Sequence, residues 1–221
     1  MNALLQFYAD PHNKLWGTTL VFFQLCLIAI LVAVVVGVML GIVVSRNVIL
    51  AFVAVNLSSL LRAIPVIVFL LAALPYLGLG FEPAVVALII LGIPPVLLNT
   101  YTGLRSIDPA TIDAARGMGM TSWQIMTRIQ LPLVLPVIAA GVRTAAVQIV
   151  ATAPLAAFIG AGGYGDYIVD GFNRLHYMEI LAGAIPVTLI ALLAEISLGG
   201  LERLLTPTGL RIKDSLETAR V

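Results

Sequence analysis

Apolar residues fall in long unbroken runs along this chain, without the alternation of a half-buried strand or the 3.6-residue stripe of a surface helix. A helix crossing the hydrocarbon core of a bilayer needs about 20 predominantly apolar residues. On that rule the chain offers residues 18–44, 48–79, 84–104, 131–159 and 180–201, which predicts five spans. The second region is over-long and holds Arg62 and Pro65. It reads either as one kinked helix or as a short interfacial helix followed by a crossing, so six spans is the alternative count. The expected fold class is all-α: a single transmembrane domain over residues 1–221, built as a polytopic helical bundle.

Composition strengthens this reading. Of 221 residues 61% are apolar and only 10% charged, with a mean hydropathy of +1.09, where a soluble domain carries about 25% charged residues. Most of the outer surface must therefore face lipid. A net charge of +1 supplies no basic patch for nucleic acid. The single cysteine, Cys26, sits in an apolar run and excludes disulfides and thiolate metal clusters. His12 and His176 are too isolated in sequence to indicate a metal. The first apolar run is too long for a signal-peptide core and has only Lys14 before it, so it is expected to remain as a membrane helix.

Charge placement sets the expected orientation, because basic residues collect on the cytoplasmic side. With five spans and the N-terminus outside, Arg46, Arg105, Arg116, Arg128, Arg203, Arg211, Lys213 and Arg220 fall inside, and Lys14 and Arg174 outside. Arg62 and Arg143 lie within spans. The C-terminus is then cytoplasmic. Two loops remain: a cytoplasmic one at residues 105–130 and an external one at 160–179.

The cytoplasmic loop reads RSIDPATIDAARGMGMTSWQIMTRIQLP. Asp108 can cap a helix with Pro109 at its first position. Gly117 and Gly119 break that helix, and Thr121 can cap a second one from Ser122 to Gln130. Leu131-Pro132 opens the fourth span. A helix–Gly–helix element between spans is a compact knob, suited to transmitting force to a partner.

Asp113-Ala114-Ala115, three residues, Gly119, nine residues, Ile129, one residue and Leu131-Pro132 resembles the EAA loop of bacterial ABC importer permeases. The spacing matches throughout; Asp113 stands where Glu is usual and is one methylene shorter. The resemblance implies a type I ABC importer permease fold whose loop docks in a cleft of an ATP-binding subunit. Asp113, Ala114, Ala115, Arg116, Gly119, Met120 and Trp123 would be the coupling residues: small alanines for close approach, Gly119 for the turn, Asp113 and Arg116 for charged contacts. The chain has no GxxxxGK[ST] phosphate loop. The resemblance therefore implies that it is not itself an enzyme and binds no cofactor, with ATP and Mg on the partner.

Flanking residues are similar to those of one subfamily. Asn99-Thr100-Tyr101-Thr102-Gly103, Gly141-Val142-Arg143-Thr144-Ala145 and Gly160-Ala161-Gly162-Gly163-Tyr164-Gly165 resemble the osmoprotectant permeases for glycine betaine, choline and carnitine. Arg62-Ala63-Ile64-Pro65 resembles the related methionine importers, which leaves an amino-acid substrate as the alternative. These matches cover about residues 15–210. The partners implied are two ATP-binding subunits, a second permease chain (identical or different), and an extracellular or periplasmic substrate-binding protein, all at the bacterial inner membrane. Neither Trp16 nor Trp123 is placed for an aromatic cage at mid-membrane, so tight recognition of a quaternary ammonium ion is expected on the binding protein.

Polar groups inside spans are costly and face a bundle interior, a partner or a watery path. Thr144, Gln148 and Thr152 follow Arg143 at four-residue spacing on one helical face. Together with Asn99 and Arg143 they either line the translocation path or hydrogen-bond between helices. Arg62 is expected to snorkel to the inner interface, and Glu195 has Arg143 or Arg62 as conceivable partners. Gly37 and Gly41 form a small-xxx-small pair that predicts close packing in the first span. The glycines at 160–165 lack the preceding strand of a dinucleotide site and read as a turn. Beyond them Asp166, Asp170 and Arg174 either contact the binding protein or are solvated. A stand-alone secondary transporter would show inverted repeats, and no segment recurs. A membrane enzyme would need clustered catalytic side chains, which the sequence does not offer.

Overall fold

The structure is a computed structural model that describes residues 2–10 and 14–205, and every described element is helical. His12 and the basic residues Arg211, Lys213 and Arg220 lie outside the described residues. A short helix, α1 (Asn2–Ala9), precedes α2 (Leu15–Ser45). Next come α3 (Val48–Ala63), α4 (Val66–Leu77) and α5 (Phe81–Arg105). The knob contains α6 (Pro109–Gly117) and α7 (Ser122–Ile125). A π-helical turn, Met126–Gln130, joins α7 to α8 (Leu131–Thr152), and a 3-10 stretch, Ala153–Ile159, extends it. The last two helices are α9 (Tyr164–Arg174) and α10 (Tyr177–Leu205).

Four helical runs are long and apolar enough to cross a membrane: Leu15–Ser45, Phe81–Arg105, Ser122–Ile159 and Tyr177–Leu205. The over-long second region is two helices bent by 97°. The cause is Pro65: Ile64 before it is extended (φ −78, ψ 123), as the residue preceding a proline prefers. At 1.5 Å per residue the 12 residues of α4 reach roughly 18 Å, well short of the ~30 Å core, so α4 is too short to cross by itself, and the count of candidate spans is four, or five if the bent pair is one span.

Along α2 the inward face carries Cys26, Ala29, Ala33, Gly37 and Gly41, all buried, while Leu27, Leu31, Val35 and Met39 are exposed. From Cys26 to Gly41 the inward face is made of small residues and the outward one of large ones, the reverse of a soluble helix, whereas Phe22 and Leu25 before it are buried. Lipid is as apolar as leucine, so helices associate by close packing rather than by hiding oil from water. A Cβ on Gly37 would stand 2.7 Å from Val96 Cβ, and one on Gly41 would stand 2.5 Å from Thr100 Cβ. The close-packing pair expected from sequence therefore meets α5. Thr100 is fully buried there, its hydroxyl donating to Val96 O at 2.8 Å.

The region expected as an external loop is mostly helix. Gly160, Gly162 and Gly163 adopt positive φ and make the turn, after which α9 packs onto α10. Its Tyr164 and Tyr167 are buried, with hydroxyls 2.8 Å from Thr19 Oγ1 and 3.1 Å from Thr18 Oγ1. Tyr8 of α1 donates to Ala182 O of α10 at 2.8 Å, so this end of the bundle is tied together by aromatic side chains with polar tips.

Candidate functional site

The knob is shaped by its own sequence. Asp108 caps α6, accepting from Ala110 N at 2.9 Å, with Pro109 at the first helical position. Gly119 then takes φ 80, a left-handed conformation that costs glycine nothing and other residues roughly 1 kcal/mol or more. Thr121 and Gln124 form a reciprocal capping box over α7, with bonds of 3.3 and 2.8 Å. The second helix expected over Ser122 to Gln130 is α7 plus the π turn. It runs without a break into α8, where Leu131 N–H bonds to Met126 O. Ser122–Ile159 is thus one helical rod of 38 residues, so a push on α7 is delivered directly to a membrane span.

The residues expected to couple to a partner divide by exposure. Asp113, Ala114, Arg116 and Gly119 are exposed, and Met120 is half-buried. Ala115 is only 1% exposed, so its small size serves packing within the chain rather than approach to a partner. Met118 and Trp123 stand out at 75% and 72% exposure. Met118 escaped the sequence reading, although its place between the two glycines was the available signal. Arg116 Nη1 lies 3.7 Å from Asp113 Oδ1 with both side chains in water, a pair worth little to stability. Its charges remain accessible to another protein.

The polar face of α8 splits in two. Thr144 is exposed and its hydroxyl donates to Ala140 O at 3.0 Å; Thr152 donates to Gln148 O at 2.7 Å. Among the described residues these hydroxyls bond within their own helix, and Gln148 and Thr152 are half-buried. Asn99 is elsewhere: it faces the α5–α8 contact, its Nδ2 donating to Pro95 O at 2.8 Å, and a Cβ on Gly141 would meet its Cβ at 2.7 Å.

Arg143 turns from that stripe toward α10. Its Nη1 donates to Glu195 Oε1 at 2.7 Å, and its Nε stands 3.1 Å from Glu202 Oε2, a contact of charge without an aligned hydrogen bond. Of the two partners conceivable for Glu195, the structure brings Arg143 and not Arg62. Glu202 was missed; its signal was the seven-residue spacing from Glu195, two turns along one face of α10. The recess beside them, about 610 Å³, is also lined by Arg203, so two positive and two negative groups face each other.

Asp166, Asp170 and Arg174 lie exposed along α9. Partial desolvation, and then the neighbouring Asp170 carboxylate, hold Asp166 above the ordinary carboxylate range.

The knob's form and the apolar rods around it agree with comparison to known proteins. Residues 33–208 match the family model of the binding-protein-dependent transport system inner membrane component. The chain belongs to this family. It is 39% identical over 211 residues to the carnitine transport permease of Listeria monocytogenes, covering 96% of this chain and 97% of that one. It is 35% identical to the glycine betaine/carnitine/choline transport system permease of Bacillus subtilis, with the same coverage. Among solved structures, the inward-facing MetNI methionine ABC transporter superposes with a TM-score of 0.78 over 90% of this chain and 99% of that one, at 20% identity. That likeness establishes the fold: an all-helical, type I ABC-permease-like bundle in a multi-pass membrane protein of this transport family.

Proposed function

We propose that the chain is the permease subunit of an ATP-driven importer for quaternary ammonium osmoprotectants such as carnitine, choline and glycine betaine. The observation that carries the reading is its end-to-end likeness to permeases named for those substrates, at 35–39% identity over 96–97% of this chain and 97–99% of each relative. The knob supports the mechanical half. Two ATP-binding subunits, carrying ATP and Mg, each receive one knob through Asp113, Ala114, Arg116, Met120 and Trp123, with Gly119 setting the turn. Their closure pushes the Ser122–Ile159 rod and rocks the spans between inward- and outward-facing states. Ala115 packs beneath this surface.

In this reading there are five crossings, with α3 and α4 counted as one, the N-terminus outside and the C-terminus in the cytoplasm of a bacterial cell. Arg46, Arg105, Arg116 and Arg128 at the knob end support that orientation. A second permease chain completes the path, to which the α8 face of Thr144, Gln148 and Thr152 contributes. A binding protein delivers substrate at the opposite end, near Asp166, Asp170 and Arg174.

The test is reconstitution of the full chain with its co-purifying ATP-binding partner, measuring uptake of radiolabelled carnitine, choline, glycine betaine and methionine beside ATP hydrolysis. Carnitine or choline uptake driven by ATP is expected, and methionine uptake alone would overturn the substrate assignment. In the same assay Gly119→Val is expected to leave hydrolysis measurable while uptake falls at least about tenfold, since its strain distorts the turn that aims the knob. Fully coupled uptake in that variant would remove the knob from the mechanism.

A further inference from the structure

Two arginines stand at the knob end of the bundle with no carboxylate paired to either among the described residues: Arg46 closes α2 and Arg105 ends α5. Both line one cleft of about 370 Å³, to which Ser45, Ser122 and Gln130 add hydroxyl and amide groups. A smaller recess beside it shares Ser45, Arg46 and Arg105 and adds Asn47 and Tyr101. Three helix ends meet here: α2 and α5 finish with their carbonyl ends, which the two arginines suit, and α3 begins with its first amides capped by Asn47 Oδ1 at 2.9 and 3.3 Å. No acidic side chain lines either recess. The recess around Arg143 is balanced two side-chain charges against two; here two full positive charges meet only the partial negative charges of two helix ends, and the surplus calls for an anion.

The surroundings say which kind. Val43, Val48, Ile49 and Phe52 flank the arginines on α2 and α3 at 54–74% exposure, a rim that water does not favour and hydrocarbon does. That rim belongs to apolar helices that face lipid, so an acidic peptide or a free phosphate would have to reach the cleft from the water side alone. A molecule with a phosphate at one end and acyl chains behind it satisfies both the charge and the rim. We infer that Arg46 and Arg105 hold the phosphate of an anionic phospholipid in the leaflet on the knob side. Basic pockets between membrane helices are suited to such headgroups. Because Ser122 and Gln130 belong to the rod that carries the knob, the bound lipid would brace the root of that rod against the α2–α3 turn.

The measurement is lipid retention by the full chain, in nanodiscs of phosphatidylcholine mixed with phosphatidylglycerol, read by native mass spectrometry after release from the disc. Wild type is expected to keep phosphatidylglycerol in preference to phosphatidylcholine. R46Q/R105Q is expected to lose that preference by more than about tenfold, each arginine near an anionic surface contributing roughly fivefold. R46Q alone gives a partial loss and serves should the double variant fail to fold, and R46K/R105K restores retention. R128Q, an exposed arginine at the same end but outside the cleft, should behave as wild type. Equal retention in wild type and R46Q, or equal loss in R128Q, would overturn the site. Displacement by excess inorganic phosphate would reassign it to a free anion. Loss of the co-purifying ATP-binding partner with retention unchanged would make it a protein-docking surface.

Discussion

The knob at residues 105–130 stands in water and is shaped one residue at a time: Asp108 caps α6, Gly119 turns the chain, and the Thr121–Gln124 box starts α7. The α2–α5–α8 contact lies among apolar neighbours and has no such devices. It rests on places where a side chain is missing, so that Gly41 admits Thr100 and Gly141 admits Asn99. Water makes capping matter because frayed helix ends compete with solvent for hydrogen bonds. Lipid removes that competition along with the hydrophobic drive, leaving contact distance as the main term. The exposed knob is therefore locally self-sufficient, as the proposed docking to a moving partner would need, and the part that must hold together depends on fit.

This contrast is sharpest where fit is destroyed. Gly141→Leu should cost the bundle about 3 kcal/mol or more, since even a Cβ would lie 3.0 Å from the Pro95 carbonyl, which cannot yield. Fluorescence-detected gel filtration should show loss of monodisperse protein; a normal peak would mean that α5 and α8 are not tightly packed. Next in size is the ion cluster between α8 and α10. Arg143→Leu leaves Glu195 and Glu202 facing one another, and a loss of about 1–2 kcal/mol is expected after allowing for partial exposure. Glu195→Gln should cost less, because Glu202 still engages the arginine; equal losses in thermal unfolding would discount the Glu202 contact.

In the knob the effects should be smaller and local. Thr121→Ala removes one arm of the capping box, about 1 kcal/mol. Hydrogen exchange is expected to quicken at Gln124 and Ile125 while the global melting temperature holds. The least effect belongs to Asp166 at the opposite end. Its folded-state value lies above the ordinary one, so the folded chain binds that proton more tightly than the unfolded chain. Stability then falls as pH rises from the ordinary carboxyl range through the raised value and is flat below it. Asp166→Asn should abolish that decline, and an unchanged pH profile would show that the carboxyl is fully solvated.

Much of this was legible in the chain itself. Length and hydropathy located the rods, Pro65 marked the elbow, and Asp108, Gly119 and Thr121 announced the knob, because caps and turns act between residues a few positions apart. Gly37 and Gly41 were readable for the same reason. Tertiary structure decided which face of each rod turns inward, since a helix apolar all round carries no stripe from which to read it. It also decided that Ala115 is buried while Ala114 is not, that residues 164–174 form a helix docked on α10, and that Arg143 meets Glu195 and Glu202 from another helix. Those outcomes depend on which rods become neighbours, and in hydrocarbon that is settled by steric fit between segments far apart in the chain.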